Sequence, residues 1–381
     1  MRARDLVGIV VSAALVVSTA CGDSDSALDP SSTASSASTT EPPETKATTK
    51  PAERVGEITT VLSATALVND VVVGGGDPIT SNAVLATSGQ GVVSFSLEDK
   101  LEDCQLSPGG NLRVQPSVNV LLTLGQGQLW CRTDTSEKER VFEVPGGRVT
   151  VRDPVFALDT RDGGGTVRVA YGFVEARSDN PDASGRLVGP NAAYTIPTGP
   201  GPARAKTFDP RRLESVERSA IDRMVAAVPR PNFDPPNTAT SSGVLARTRR
   251  REALRAGFTN ELTGASRTFA KAFLGFVADK WGVGFVWSEV AVGDMSDRLG
   301  TDFDVVVAPD GTAFAAGKIP YFGAPDERSW SLLVDPDDQE FAEALQDFLV
   351  DALNIGEYGD RYVTAFGVQP TYEAVRSLIF G

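Results

Sequence analysis

Between residues 55 and 178 the apolar positions come in short runs rich in β-branched side chains, and each run breaks at a turn. ITTVLSATALV, VVSFSL, VNVLLTL, QLWC, GRVTV, VFALDT and TVRVAYGFVEA are separated by GGGDP at 74–78, SGQG at 88–91, SPGG at 107–110, PGG at 145–147 and RDGGG at 161–165. Many short strands at this spacing predict an all-β roll or sandwich. Val167, Val169 and Tyr171 alternate with Arg168 and Ala170, the period of a half-buried strand. The pattern loosens over 179–243, where Pro, Gly, Asn and Asp accumulate. That stretch reads as a linker holding one helix near 211–228, with Leu213, Val216, Ala220, Met224 and Val228 recurring at three and four. From 244 to 381 helical and strand patterns alternate. The basic run LARTRRREALRAGF reads as helix, SRTFAKAFLGFVADKWGV as a second, VGFVWSEVAV and FDVVVAPDG as strands, and DQEFAEALQDFLVDAL as a further helix. Asp337 and Asp338 stand at the start of that last helix, where a carboxylate suits exposed N–H groups. Alternation of this kind predicts an α/β domain.

Ahead of the β region the pattern is different again. Arg2 and Arg4 precede the apolar run Leu6–Val17, which is shorter than the roughly 20 residues a spanning helix needs. A basic start, a short apolar run and small residues are the parts of an export signal. Ser18-Thr19-Ala20 followed by Cys21 resembles the signal of bacterial lipoproteins, with Ser18 where those signals usually carry Leu. The resemblance implies a signal peptide over 1–20, a diacylglycerol on the Cys21 thiol and a mature chain that starts there. The plainer alternative is an ordinary signal peptide with an incidental cysteine. Two acyl chains hold a protein stably where one does not. Residues 21–54 are rich in Ser, Thr and Pro and carry no aromatic residue. Such a stretch has little to bury against the entropy of ordering, so it reads as a disordered tether.

Composition removes several functions. The chain of 381 residues carries 50 acidic and 36 basic residues, a net charge of -14, which disfavours a nucleic-acid partner. It has no histidine, so a His-based triad, a His general base and a His-ligated metal are all absent. Its three cysteines cannot make a four-thiolate zinc site. No cofactor, catalytic residue or metal ligand is expected. With Cys21 assigned to the anchor, Cys104 and Cys131 remain. Export to an oxidising compartment favours a disulfide between them, and two separately buried thiols are the alternative. Gly74–Gly76 read as turn residues rather than a phosphate loop, since no Gly-Lys-Ser/Thr follows.

Two further resemblances bear on function. GGGDPITSNAVL, followed later by GGRVTVRDPVFALDTRDGGGTVRVAYGFVEA, resembles the FecR-like domain over about 65–176, although Arg152-Asp153-Pro154-Val155 replaces the usual Gly-Thr before the Phe. That family is associated with surface sensing, signalling or scaffold roles, which implies a contact module within 55–178. Gly257-Phe258-Thr259-Asn260-Glu261-Leu262, the run Leu299 to Val305, Pro320-Tyr321-Phe322, Gly356-Glu357-Tyr358 and Phe366-Gly367 together resemble an amino-acid-type (family 3) extracellular solute-binding protein over about 250–381. Those proteins insert a second lobe after the Pro-Tyr segment. Here Tyr321 to Trp330 leaves no room for one, and Pro309-Asp310-Gly311-Thr312 stands where a carboxylate-clamping Arg is usual. The resemblance therefore implies a single α/β lobe over 244–381, with any ligand groove near Glu261, Trp287, Asp310, Tyr321 and Trp330. The aromatic set Trp281, Phe285, Trp287, Tyr321, Phe322 and Trp330 reads as the packing of a small lobe, with a pocket lining as the other possibility.

The expectation is a non-enzymatic lipoprotein of the cell envelope, anchored on the outer face of the cytoplasmic membrane or on an outer membrane. Its β domain meets an envelope protein or a glycan. The other reading is an importer's solute-binding lipoprotein that captures a small polar solute such as an amino acid. Catalysis by an acidic pair, Asp302/Asp304 or Asp337/Asp338, is disfavoured because such residues more often form solvated edges and caps.

Overall fold

The computed structural model describes residues 53–380 apart from 99–101, 116–119, 135–138, 184, 200–204, 235–242, 313–316 and 327. The signal, Cys21 and nearly all of the tether lie outside the described residues. An all-β first part and an α/β second part follow one another along the chain, as the patterns predict. The β part comprises β1 (Arg54–Val68), β2 (Val71–Val73), β3 (Pro78–Thr80), β4 (Val84–Leu97), β5 (Glu102–Leu106), β6 (Asn111–Val114), β7 (Val120–Gln126) and β8 (Gln128–Thr133). It continues with β9 (Arg140–Val144), β10 (Gly147–Val151), β11 (Val155–Asp159), β12 (Thr166–Tyr171), β13 (Val174–Ser178), β14 (Arg186–Val188), β15 (Ala192–Thr195) and β16 (Lys206–Thr207).

These strands form one sheet in the order β14-β13-β10-β9-β7-β6-β4-β5-β8-β11-β12-β15-β16, with β1 paired along β4 and β2 and β3 paired to β1. The long β4 pairs with β6 through Val84–Ala86 and with β5 through Val93–Leu97, so the sheet turns about this strand. Its two halves close on one apolar core. Phe142 of β9 and Phe156 of β11 lie far apart in strand order, yet their rings meet edge to face at 5.0 Å. Cys104 and Cys131 are cross-strand partners in β5 and β8 and are joined by a disulfide, with Cα atoms 4.2 Å apart.

Two boundaries differ from the sequence reading. The sheet does not stop at 178. Within the stretch expected as linker, β14 pairs with β13, β15 with β12, and β16 with β15. Tertiary pairing supplies the order that local composition does not show. Helix α1 (Ser215–Ala226) is close to the expected span, but its buried face takes in Ile221 and leaves out Val216. Ile221 and Met224 pack over Trp130, Val155 and Ala157, Ala220 is also buried, and Val216 points to solvent.

The lobe begins with α2 (Val244–Arg251) and β17 (Ala253–Thr259). The basic run is therefore not one helix to Phe258. Glu252 takes a left-handed conformation, φ 54°, that ends α2, and the remaining ALRAGF becomes an interior strand, β17. Next come α3 (Gly264–Lys280), β18 (Gly284–Val290), α4 (Met295–Arg298), β19 (Val305–Pro309), β20 (Gly317–Gly323), β21 (Ser329–Val334), α5 (Gln339–Asn354), α6 (Glu357–Phe366) and α7 (Arg376–Phe380). The strand order is β18-β17-β19-β21-β20, with β17 parallel to β18 and β19, and β21 antiparallel to β19 and β20. Asp338 caps α5 by accepting from the Phe341 N–H at 3.0 Å.

Residues 51–381 form one compact unit, and the two parts share a seam. Phe173 and Leu187 of the β part belong to the apolar core of the lobe. The Phe173 ring meets Tyr372 edge to face at 4.8 Å, the Gly172 N–H donates to the Asn354 carbonyl at 2.9 Å, and Arg376 pairs with Glu175 at 3.1 Å.

Candidate functional site

The five residues expected to line a groove do not share one wall. Tyr321 sits on the edge strand β20, fully buried against Phe269, Phe273 and Phe322. Its phenol is pushed well above the ordinary tyrosine range by burial. Trp330 is buried on β21 and stacks on Phe322. Trp287 lies on β18, the opposite edge of the same sheet, half covered by the Phe258 ring and by the Lys271 ammonium 3.4 Å from its centroid. Glu261 and Asp310 are exposed beyond the ends of β17 and β19. Asp310 accepts from Ser331 at 2.8 Å and pairs with Lys318 at 2.7 Å, contacts that hold its carboxyl below the usual range. Of the aromatic set, Trp281, Tyr321, Phe322 and Trp330 are core packing.

Side chains absent from that expectation meet at the seam. A cavity of about 400 Å³ lies between the β domain and the lobe. Arg132, Thr133 and Tyr171 line it from β8 and β12, and Val350, Asn354 and Ile379 line it from α5 and α7. Its size falls in the range of small-molecule pockets, which favour domain boundaries. On β8, Leu129 and Cys131 face the core of the sheet while Trp130 and Arg132 alternate outward. α1 covers Trp130 and leaves Arg132 at the cavity. Arg132 also walls a second hollow of about 410 Å³, floored by Thr60, Ser94 and Ser96 of β1 and β4 and flanked by Asp103 and Arg223. Strand alternation in QLWCRT gives the outward aim of Arg132. Nothing local announces that α5 and α7 close over it.

A third feature is apolar. Val71 and Val72 of β2 are 64% and 68% exposed, and Leu62 of β1 is 57% exposed. Among the described residues β2 pairs with β1 alone, so its other side is a free sheet edge. Val72 stands opposite Leu67 on one face of this hairpin and Val71 opposite Val68 on the other, so both faces carry apolar pairs out to that edge.

Among the described residues no group of three or more His, Cys, Asp or Glu could hold a metal ion. The acidic pairs have structural partners. Asp304 is buried between β17 and β19 and accepts from the Arg255 N–H at 2.9 Å, Asp302 pairs with Arg298 at 2.9 Å, and Asp338 caps α5. No described helix is long and apolar enough to cross a membrane.

No family model matches the chain, and no curated protein matches it. Among solved structures it is similar to a protein from Parabacteroides distasonis ATCC 8503 provisionally assigned as an anti-sigma factor, in a crystal structure at 1.65 Å. The identity is 14%, the match covers 46% of this chain and 77% of that one, and the TM-score is 0.30. A second crystal structure of a protein so assigned, at 2.50 Å, gives 14%, 47%, 79% and 0.30. A likeness this distant carries no functional argument.

Proposed function

We propose that the chain is a lipid-anchored protein of the cell envelope, attached through Cys21, that works without catalysis as an interaction or scaffold module. Its β domain, read as FecR-like, is the contact surface for an envelope protein or glycan. The observation that carries this reading is the exposed valine edge of β2. A free strand edge that also presents apolar side chains is costly to leave in water, and it is the surface that a partner strand or apolar patch covers. Placing a positive charge there, as Val71→Lys with Val72→Lys, leaves the core untouched because both side chains are exposed. In cells treated with a cross-linker, the wild-type chain gives a discrete adduct and the double-lysine chain loses it. Equal adducts from both chains would remove the β2 edge from the account.

The seam cavity favours a second reading, in which the protein captures a small polar solute such as an amino acid for an importer. In that reading the β domain supplies the second wall that the single lobe lacks. Either role needs the anchor. Cys21→Ala is expected to release the chain from the membrane fraction, and incorporation of labelled fatty acid, present in the wild type and absent in the variant, checks it.

A further inference from the structure

We infer that the seam cavity is a binding site for a small organic anion, a carboxylate carrying an apolar body, with Arg132 as its anchor. This rests on the second reading of the same cavity and stands apart from the proposed contact at β2, which lies on other strands. The Arg132 side chain is 17% exposed, and its Nε is buried with no hydrogen-bond partner among the described residues. The paired carboxylate, Asp134, lies 3.6 Å from Nη1, beyond hydrogen-bond distance, and is itself 67% exposed. A buried donor without an acceptor is costly to leave, and an acceptor brought by a ligand removes that cost.

The distribution of charge around the cavity selects an anion. Asp134 and Asp153 are exposed, whereas Arg132 and Arg152 are partly buried. Asp351, whose charge acts on Tyr171, is occupied by the Asn232 N–H at 2.8 Å. The apolar part of the lining selects the body. Phe173, Val228, Val350 and Ile379 offer carbon surface, with Tyr171 beside them. A cation would meet Arg132. A neutral apolar molecule would leave its Nε unpaired. A carboxylate with a short aliphatic or aromatic chain satisfies both walls within about 400 Å³.

Calorimetric titration of the full chain with phenylacetate and with hexanoate, each against its neutral amide, tests this. The expected result is saturable binding of at least one acid and much weaker binding of its amide. Arg132→Gln weakens the acid by roughly 10- to 100-fold, the worth of a charge-assisted hydrogen bond. Val350→Trp, which fills the cavity from α5, abolishes binding and decides the matter if the arginine variant does not fold. The double-lysine variant of β2 binds the acid as the wild type does, so failure here and failure of the contact reading are separable. No binding of either acid, or acid binding that both Arg132→Gln and Val350→Trp leave intact, overturns the site.

Discussion

Asp159 and Asp304 are both buried aspartates, and their surroundings drive them in opposite directions. Burial pushes Asp159 up, but hydrogen bonds from the side chain and backbone of Arg161 and the charge of Arg168 outweigh it and hold the carboxyl below its ordinary value of 3.8. Asp304 is pushed above that value by burial, which the Arg255 N–H and nearby arginines only partly offset. The stability contributed by Asp159 is thus present above pH 3.8 and is lost as pH falls through its lowered folded value. Asp304 binds its proton more tightly folded than unfolded, so its ionisation subtracts stability as pH rises above 3.8. Urea unfolding at pH 3 and pH 7 should therefore show opposite trends. Asp159→Asn loses more, relative to wild type, at pH 7. Asp304→Asn gains relative to wild type on the same change. Two variants that move in parallel would contradict these assignments. The sequence shows neither sign, because the partners come from tertiary pairing. Arg168 reaches Asp159 across the β11–β12 ladder, and Asp304 reaches Arg255 from 49 residues away.

Elements were legible where local pattern and tertiary environment agree. DQEFAEALQDFLVDAL reads as a helix, and α5 is that helix, because its apolar spacing and its capping aspartate are both local. Asp338 serves twice, accepting from the Phe341 N–H at 3.0 Å and also from the Val244 N–H that opens α2. Asp338→Ala should cost roughly 1–2 kcal/mol in urea unfolding, the worth of a lost cap. Asp337→Ala should cost far less, since its side chain caps neither helix. Elements were missed where the partner decides. β14 to β16 are short and flanked by Gly and Pro, so composition reads them as linker, yet each completes a ladder begun by a stronger strand. ALRAGF follows a basic helical run, and only the left-handed turn at Glu252 separates it from α2. The resemblance to a solute-binding lobe implies a groove near Tyr321 and Trp330, and in this lobe both rings lie in the core.

At the scale of the whole molecule, the β domain and lobe act as one body because small residues let the seam close. A Cβ on Gly189 would stand 2.6 Å from Tyr372 Cζ and 2.7 Å from Phe173 Cε1. Gly189→Val should cost about 1–3 kcal/mol through overpacking. It should also split one unfolding transition into two, which calorimetry would resolve. A single transition at the wild-type temperature would mean that the seam contributes nothing. The sequence held both parts but not their union, since the residues that join them, Phe173, Gly189, Asn354 and Tyr372, carry no shared local signal. The proposed function rests on what this body leaves uncovered. The most direct measurement places a photo-activated cross-linking residue at Val72, and separately at Val368, an exposed apolar position in the lobe. Each chain is then irradiated in living cells. The account predicts one discrete adduct from position 72, none from 368, and loss of the adduct when Cys21 is replaced by Ala. No adduct from 72, or the same adduct from both positions, would contradict it.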